Sequence, residues 1–218
     1  MKIGIYIENP EILRKILEEI IKHELPVKIL EKIDRIDKEK VDIVITDVPE
    51  KLLRKHVVMV VRSINSVEKI VEKVKLLLKQ KLAYNALLIG IDPGKRTGIA
   101  IIGDGEFLEG KTMENLEEIK DYVDYALRKY PYVKCLIRVG FKENLTSFIV
   151  EKLLDSIEHI WSEVILELVD ENKTSRNIRI PLKVNRKVPK DVASAIQIAL
   201  KKGLRVGLEH AKGEHSIK

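Results

Sequence analysis

The sequence predicts an α/β chain of two modules: a small parallel α/β domain over residues 1–82, then a mixed-sheet α/β domain over 86–218. Three observations carry this. Short apolar runs alternate with amphipathic stripes through the first part, as strands and helices do in a parallel layer. The second part opens with three consecutive strands joined by tight turns before any helix appears. Between the two, Gln80–Asn85 loses its periodicity and marks a boundary.

In the first module, Lys2–Ile7 reads as a buried strand. Pro10–His23 follows as a helix, with Ile12, Leu13, Ile16, Leu17, Ile20 and Ile21 along one stripe and Pro10 suited to the first turn. Val27–Leu30, Val41–Thr46 and His56–Val61 are further strands, and Glu50–Lys55 is a short helix candidate. Ser66–Lys79 is a helix carrying Val67, Ile70, Val71, Val74, Leu77 and Leu78 on one face.

In the second module, Ala86–Asp92 is an apolar strand ending in Pro-Gly. Thr97–Ile102 is reached across the turn Pro93–Arg96, and Glu106–Thr112 across Gly103-Asp104-Gly105. Asn115–Lys129 is a helix, Val133–Val139 a strand, Leu145–Ile160 a helix and Val164–Val169 a strand. Pro189–Lys201 is the last helix, with Pro189 in its first turn and Gly203 just beyond its end. Glu209–Lys218 is a polar tail, expected to fray. A three-strand meander followed by helix, strand, helix, strand and helix is the ribonuclease H order.

Composition narrows the function classes. Apolar residues make up 45% of the chain, enough for a sizeable core, and charged residues 34%, above the ~25% of ordinary globular proteins. Lys, Glu and Ile dominate while glutamine is confined to Gln80 and Gln197, a bias that resembles proteins built for heat. The net charge of +6 raises nucleic acid as a partner, although a mild lysine excess also serves solubility. The single cysteine, Cys135, excludes an intramolecular disulfide and sits in an apolar run as a small core residue. With no signal-peptide pattern and no run near the ~20 apolar residues that span a bilayer, a cytoplasmic protein without a membrane partner is expected.

Three carboxylates stand where chemistry is expected. Asp92 closes an otherwise apolar strand, a costly position for an ion unless something neutralises it. Asp170-Glu171 closes the Val164–Val169 strand, and Asp191 lies in the first turn of the last helix, whose Ala193, Ala195 and Ala199 would let it lie close against the sheet. Acids gathered in this way repel one another unless a cation joins them, and Mg²⁺ or Mn²⁺ favours such oxygen cages. Each also has a structural role open to it. Asp92 suits a Pro-Gly turn, Asp191 suits the helix dipole, and Asp170 competes with Glu171 for the inward direction.

Ile89-Gly90-Ile91-Asp92-Pro93-Gly94 with Thr97-Gly98-Ile99-Ala100 resembles the opening of the RuvC and YqgF families. Val169–Ser175 is similar to the YqgF motif on the fifth strand, and Asp191–Ala195 with Ile198 resembles the final helix of both. The resemblance spans about 86–207; the first 80 residues match neither family. It implies a structure-selective nuclease acting on branched DNA or on RNA through two metal ions, with Asp92, Glu171 and Asp191 as catalytic metal ligands. It also makes a homodimer the expectation, because RuvC-like resolvases cut symmetrically as dimers. One departure favours YqgF. RuvC enzymes carry a glutamate on the fourth strand, where this chain has Arg138; Glu143 is the nearest later acid. That departure motivates the alternative of an inactive nucleic-acid-binding domain with the same fold.

Lys173, Arg176, Arg179, Lys183, Arg186, Lys187 and Lys190 crowd the segment joining Glu171 to Asp191 and are expected to hold phosphates, as are Lys95 and Arg96 in the turn after Asp92. A solvated loop is the plainer role for any one of them. Asp47 and Glu8 resemble the carboxylates of response-regulator receivers, but the acidic pair and the later lysine-bearing strand are not evident, so a scaffold, dimerisation or targeting role is expected of the first module. His210 and His215 have no metal spacing. An actin-like or sugar-kinase ATPase would need a second copy of the fold, and one is visible.

Overall fold

The computed structural model describes residues 1–32, 39–48, 56–142, 144–157, 164–170 and 188–206. The helix expected over Glu50–Lys55, Glu143, Glu171, the basic run 173–187, and the tail with its two histidines lie outside the described residues. The chain divides into two compact units, Met1–Leu82 and Ala83–Lys218.

The first unit runs β1 (Ile3–Tyr6), α1 (Pro10–Lys22), β2 (Val27–Ile29), β3 (Ile43–Thr46), β4 (Val57–Val60), a single 3-10 turn at Ile64–Ser66, and α2 (Val67–Leu78). Its four strands are all parallel, in the order β2-β1-β3-β4. Asn9 starts α1 by accepting the Glu11 and Ile12 amides on its side-chain oxygen, which satisfies two donors that have no partner within the helix. The apolar stripe then faces the sheet, except for Ile21, which is exposed. Ile12, Ile16 and Ile20 of α1 and Val67, Ile70, Val71 and Val74 of α2 pack with Ile3, Ile5, Ile43 and Ile45. Leu30, Val41 and Val44 form a second buried cluster with Tyr6 and Val58 packed on it.

The second unit runs β5 (Tyr84–Asp92), β6 (Thr97–Gly103), β7 (Glu106–Met113), α3 (Glu117–Lys129), β8 (Tyr132–Gly140), α4 (Leu145–Ile157), β9 (Val164–Val169), α5 (Lys190–Leu200) and β10 (Leu204–Arg205). Its mixed sheet has the order β10-β9-β8-β5-β6-β7. The meander β5-β6-β7 is antiparallel, β8 and β9 run parallel to β5, and β10 returns antiparallel on β9. Strand β5 begins at Tyr84, inside the expected boundary segment, because Tyr84 is buried edge-on against Tyr130 and covers Gly103. The two-residue β10 was not anticipated; it is too short to show a period.

Residues alternate across the sheet. Helix α5 packs over β5 and β6 and reaches β8. Ala195 and Ala199 of α5 approach Gly90 so closely that a Cβ there would stand 2.0 Å from the Ala195 carbonyl oxygen. Gly90 and its even-numbered partners on β5 and β6 therefore face α5. Leu87, Ile89, Ile91, Ile99 and Ile101 point the other way and are fully buried. Their burial needs a second cover, and the buried stripes of α3 (Ile119, Val123, Ala126) and α4 (Ile149, Leu153) belong to the helices left to supply it.

Candidate functional site

The α5 face of the sheet contains a transverse row at the carboxyl ends of the parallel strands. Asp92 is directly opposite Gly98 on β6, and Gly98 is opposite Thr112 on β7. Directly opposed residues share a face. On the other side, Ile91 pairs with Val139, so the β8 residue level with Asp92 is Gly140, itself opposite Val169 of β9. Asp92 is thus flanked by glycine on both neighbouring strands and is half-buried.

The glycine at position 98 admits α5. A Cβ there would stand 2.0 Å from the Asp191 carbonyl oxygen and 2.4 Å from its carbonyl carbon. The first turn of α5 therefore rests on β6 beside Asp92. Asp92, and the start of α5 that carries Asp191, come from segments about a hundred residues apart and both adjoin Gly98. Arg96, in the turn after Asp92, brings its Nε to 3.6 Å from Asp191 Oδ2, with both side chains reachable by solvent. Lys95 and Lys190 are exposed at the same end.

Arg138 does not stand beside Asp92. It is level with Gly90, one step back along the same face, and opposite Glu167 on β9. Its Nε donates to Glu167 Oε2 at 2.7 Å, and its Nη1 donates to the Ala199 carbonyl at 2.6 Å. Glu167 Oε2 also accepts the Gly203 amide at 3.3 Å. The pair is largely buried and fastens the carboxyl end of α5 and the chain leading to β10. A cation there also suits the negative end of the helix dipole. The strand register sets Arg138 level with Gly90 and not with Asp92, and Arg138 has a structural partner of its own.

Alternation along β9 puts Glu167 and Val169 on the α5 face and Leu168 on the other. Continued one residue, it assigns exposed Asp170 to the face away from Asp92. Two residues that the sequence did not single out lie at this end. Phe141 is exposed just past β8, its amide donating to the Val169 carbonyl at 2.8 Å. Lys142 follows it and directs its ammonium toward Gly94. Their signal was position alone, since loops at the carboxyl ends of parallel strands are where sites gather.

The residue types would suit a hard divalent ion: carboxylates carried by β5 and α5, two elements that both adjoin Gly98. Among the described residues, no three Asp, Glu, His or Cys side chains converge; of the three predicted ligands, Asp92 and Asp191 are described and Glu171 is not. Glu171, Lys173, Arg176, Arg179, Lys183, Arg186 and Lys187 are outside the described residues. In the first unit, Asp47 accepts the Glu8 and Asn9 amides at 2.9 and 2.8 Å, so its carboxylate already ties β3 to the start of α1. No described helix is long and apolar enough to cross a membrane. No protein-family model matches the chain, and no curated protein matches it.

Proposed function

We propose that the second unit is a ribonuclease H-like nuclease of the YqgF/RuvC kind, which hydrolyses phosphodiester bonds in structured or branched DNA or RNA. The observation that carries this is the seating of Asp191 on Gly98, directly across from Asp92. The order β7-β6-β5-β8-β9, with α5 over the meander, supports the same fold family. In this proposal Asp92 and Asp191 hold Mg²⁺ or Mn²⁺, with Glu171 as the third ligand. The bound ions supply charge stabilisation and an activated water for in-line displacement at phosphorus. Lys95, Arg96 and Lys190 contact phosphates and fix the register of the strand without reading its bases. The basic run 173–187 extends that contact, and a homodimer belongs to the same proposal.

The test is a Mn²⁺-dependent cleavage screen over single strands, duplexes, junctions and structured RNA, run beside Mn²⁺ titrations of the wild type, Asp92→Asn and Asp191→Asn. Cleavage by the wild type, with loss of both metal binding and cleavage in each variant, is the expected result. One observation favours a second function. Strand β8 contains no carboxylate, so a domain that binds nucleic acid without cutting it is the alternative. Equal nucleic-acid binding by wild type and Asp92→Asn, with no cleavage by either, would select it.

A further inference from the structure

We propose that Lys142 is a phosphate-binding residue of this site, fixed over the turn that follows Asp92 by a hydroxyl clamp from Thr146. The proposal rests on the nuclease reading for its ligand, the phosphodiester backbone of a nucleic acid. Lys142 itself lies outside the three carboxylate motifs.

Lys142 lies just past β8, where the parallel strands end. Its backbone is tied down on both sides. Its amide donates to Thr146 Oγ1 at 2.7 Å, and that hydroxyl is 2.9 Å from the Gly140 carbonyl and 3.1 Å from the Lys142 carbonyl. Thr146 is buried, so water competes little for these bonds. The neighbouring Phe141 amide is held by Val169 on β9. A lysine stem that starts from a fixed backbone loses less freedom when its head group engages a ligand.

From this base the ammonium crosses to the Asp92 side. Lys142 Nζ lies 3.6 Å from the position a Gly94 Cβ would take, two residues after Asp92. The same turn holds Lys95 and Arg96, and Arg96 leans on Asp191 from the α5 side. Lys142 approaches from the β8 side, where Gly140 brings no side chain. Cations from two separate chain segments therefore border the turn that follows Asp92. Two acids alone would repel a phosphodiester, and positive charge on both flanks offsets that repulsion. A compact ammonium with three donors suits a phosphate oxygen and gives no base discrimination.

The experiment measures affinity of the full chain for a fluorescein-labelled four-way DNA junction and a labelled RNA hairpin as a function of KCl. The variants are Lys142→Gln, Lys142→Arg, and Lys134→Gln at the opposite end of β8. Lys142→Gln is expected to weaken binding several-fold and to flatten the slope of log K against log salt by about 0.7–0.9, one phosphate contact. Lys142→Arg is expected to keep the slope and Lys134→Gln to leave it unchanged. A wild-type slope in Lys142→Gln, or an equal loss in Lys134→Gln, overturns the assignment while the nuclease proposal stands. A wild type that binds neither probe overturns both.

Discussion

Replacing Gly98 by alanine tests the contact on which the site depends. The added Cβ would meet three backbone atoms of the α5 start: the Asp191 carbonyl oxygen at 2.0 Å, its carbon at 2.4 Å and the Val192 amide nitrogen at 3.1 Å. None of these can rotate aside. Ordinary contact begins near 3.4 Å, so the first turn of α5 must retreat by about 1.4 Å. Overpacking of this kind costs about 1–3 kcal/mol. Gly98 has no left-handed backbone to protect, so alanine there would otherwise favour the strand, and a loss reports the α5 contact. Far-UV circular dichroism in urea follows the loss of the helices and strands. Gly98→Ala should lower the midpoint and weaken Mn²⁺ binding by displacing Asp191. Gly94→Ala meets its nearest atom, the Arg96 carbonyl oxygen, at 3.2 Å and should stay within about 1 kcal/mol. A Gly98→Ala protein as stable as wild type, with the same Mn²⁺ affinity, would refute the placement of Asp191.

Arg138→Met leaves Glu167 charged and largely buried and should cost about 3–5 kcal/mol in the same urea assay, while Arg138→Met/Glu167→Leu should recover most of it. Arg96→Gln removes the cation that competes for Asp191; because that pair is exposed, Mn²⁺ should bind more tightly by at most about fivefold, and unchanged or weaker binding would count against the competition. His23 has its pKa lowered from 6.5, first by burial and then by Lys75 and Lys22, with Glu72 and Glu19 pulling the other way. Its stabilising contribution is therefore full above pH 6.5 and is lost as pH falls through the lower folded value, because the unfolded chain takes the proton more readily. The helical circular dichroism of urea unfolding, compared between about pH 7.5 and pH 5, should show less pH sensitivity in His23→Gln than in wild type.

Much of the fold was legible because its elements are strongly periodic. The α1 stripe at Ile12, Ile16 and Ile20 and the α2 stripe at Val67, Ile70, Val71 and Val74 could form only helices with one buried side. The turn chemistry at Pro93-Gly94 and Gly103-Asp104-Gly105 marked the meander, and Asp104 and Gly105 do adopt positive φ. Element ends were less legible, since they depend on tertiary partners. Tyr84 joins β5 because Tyr130 and Gly103 await its ring, which no local pattern announces.

The site was legible only as residue types in order, because which side chains meet is decided by register, and register is not written in any one strand. The run Cys135–Gly140 shows an arginine two residues before the strand's last glycine; it does not show which of the two is level with Asp92. That depends on the pairing of Ile91 with Val139. A slide of two residues along the strand would keep every side chain on its own face while carrying Arg138 to the Asp92 row, so face alternation alone could not reject it. What rejects it is what packs on β8 from its other side, β9 and α5. Arg138 is needed at Glu167 and at the last turn of α5, and moving it forward would leave that carboxylate and the Ala199 carbonyl without their guanidinium partner. Strand β8 holds no acid, and its Arg138 is committed to Glu167 and α5 and not to the Asp92 row. Gly140 adds no charge level with Asp92, so in the proposed nuclease the choice between cutting and binding turns on how many ligands the remaining carboxylates provide.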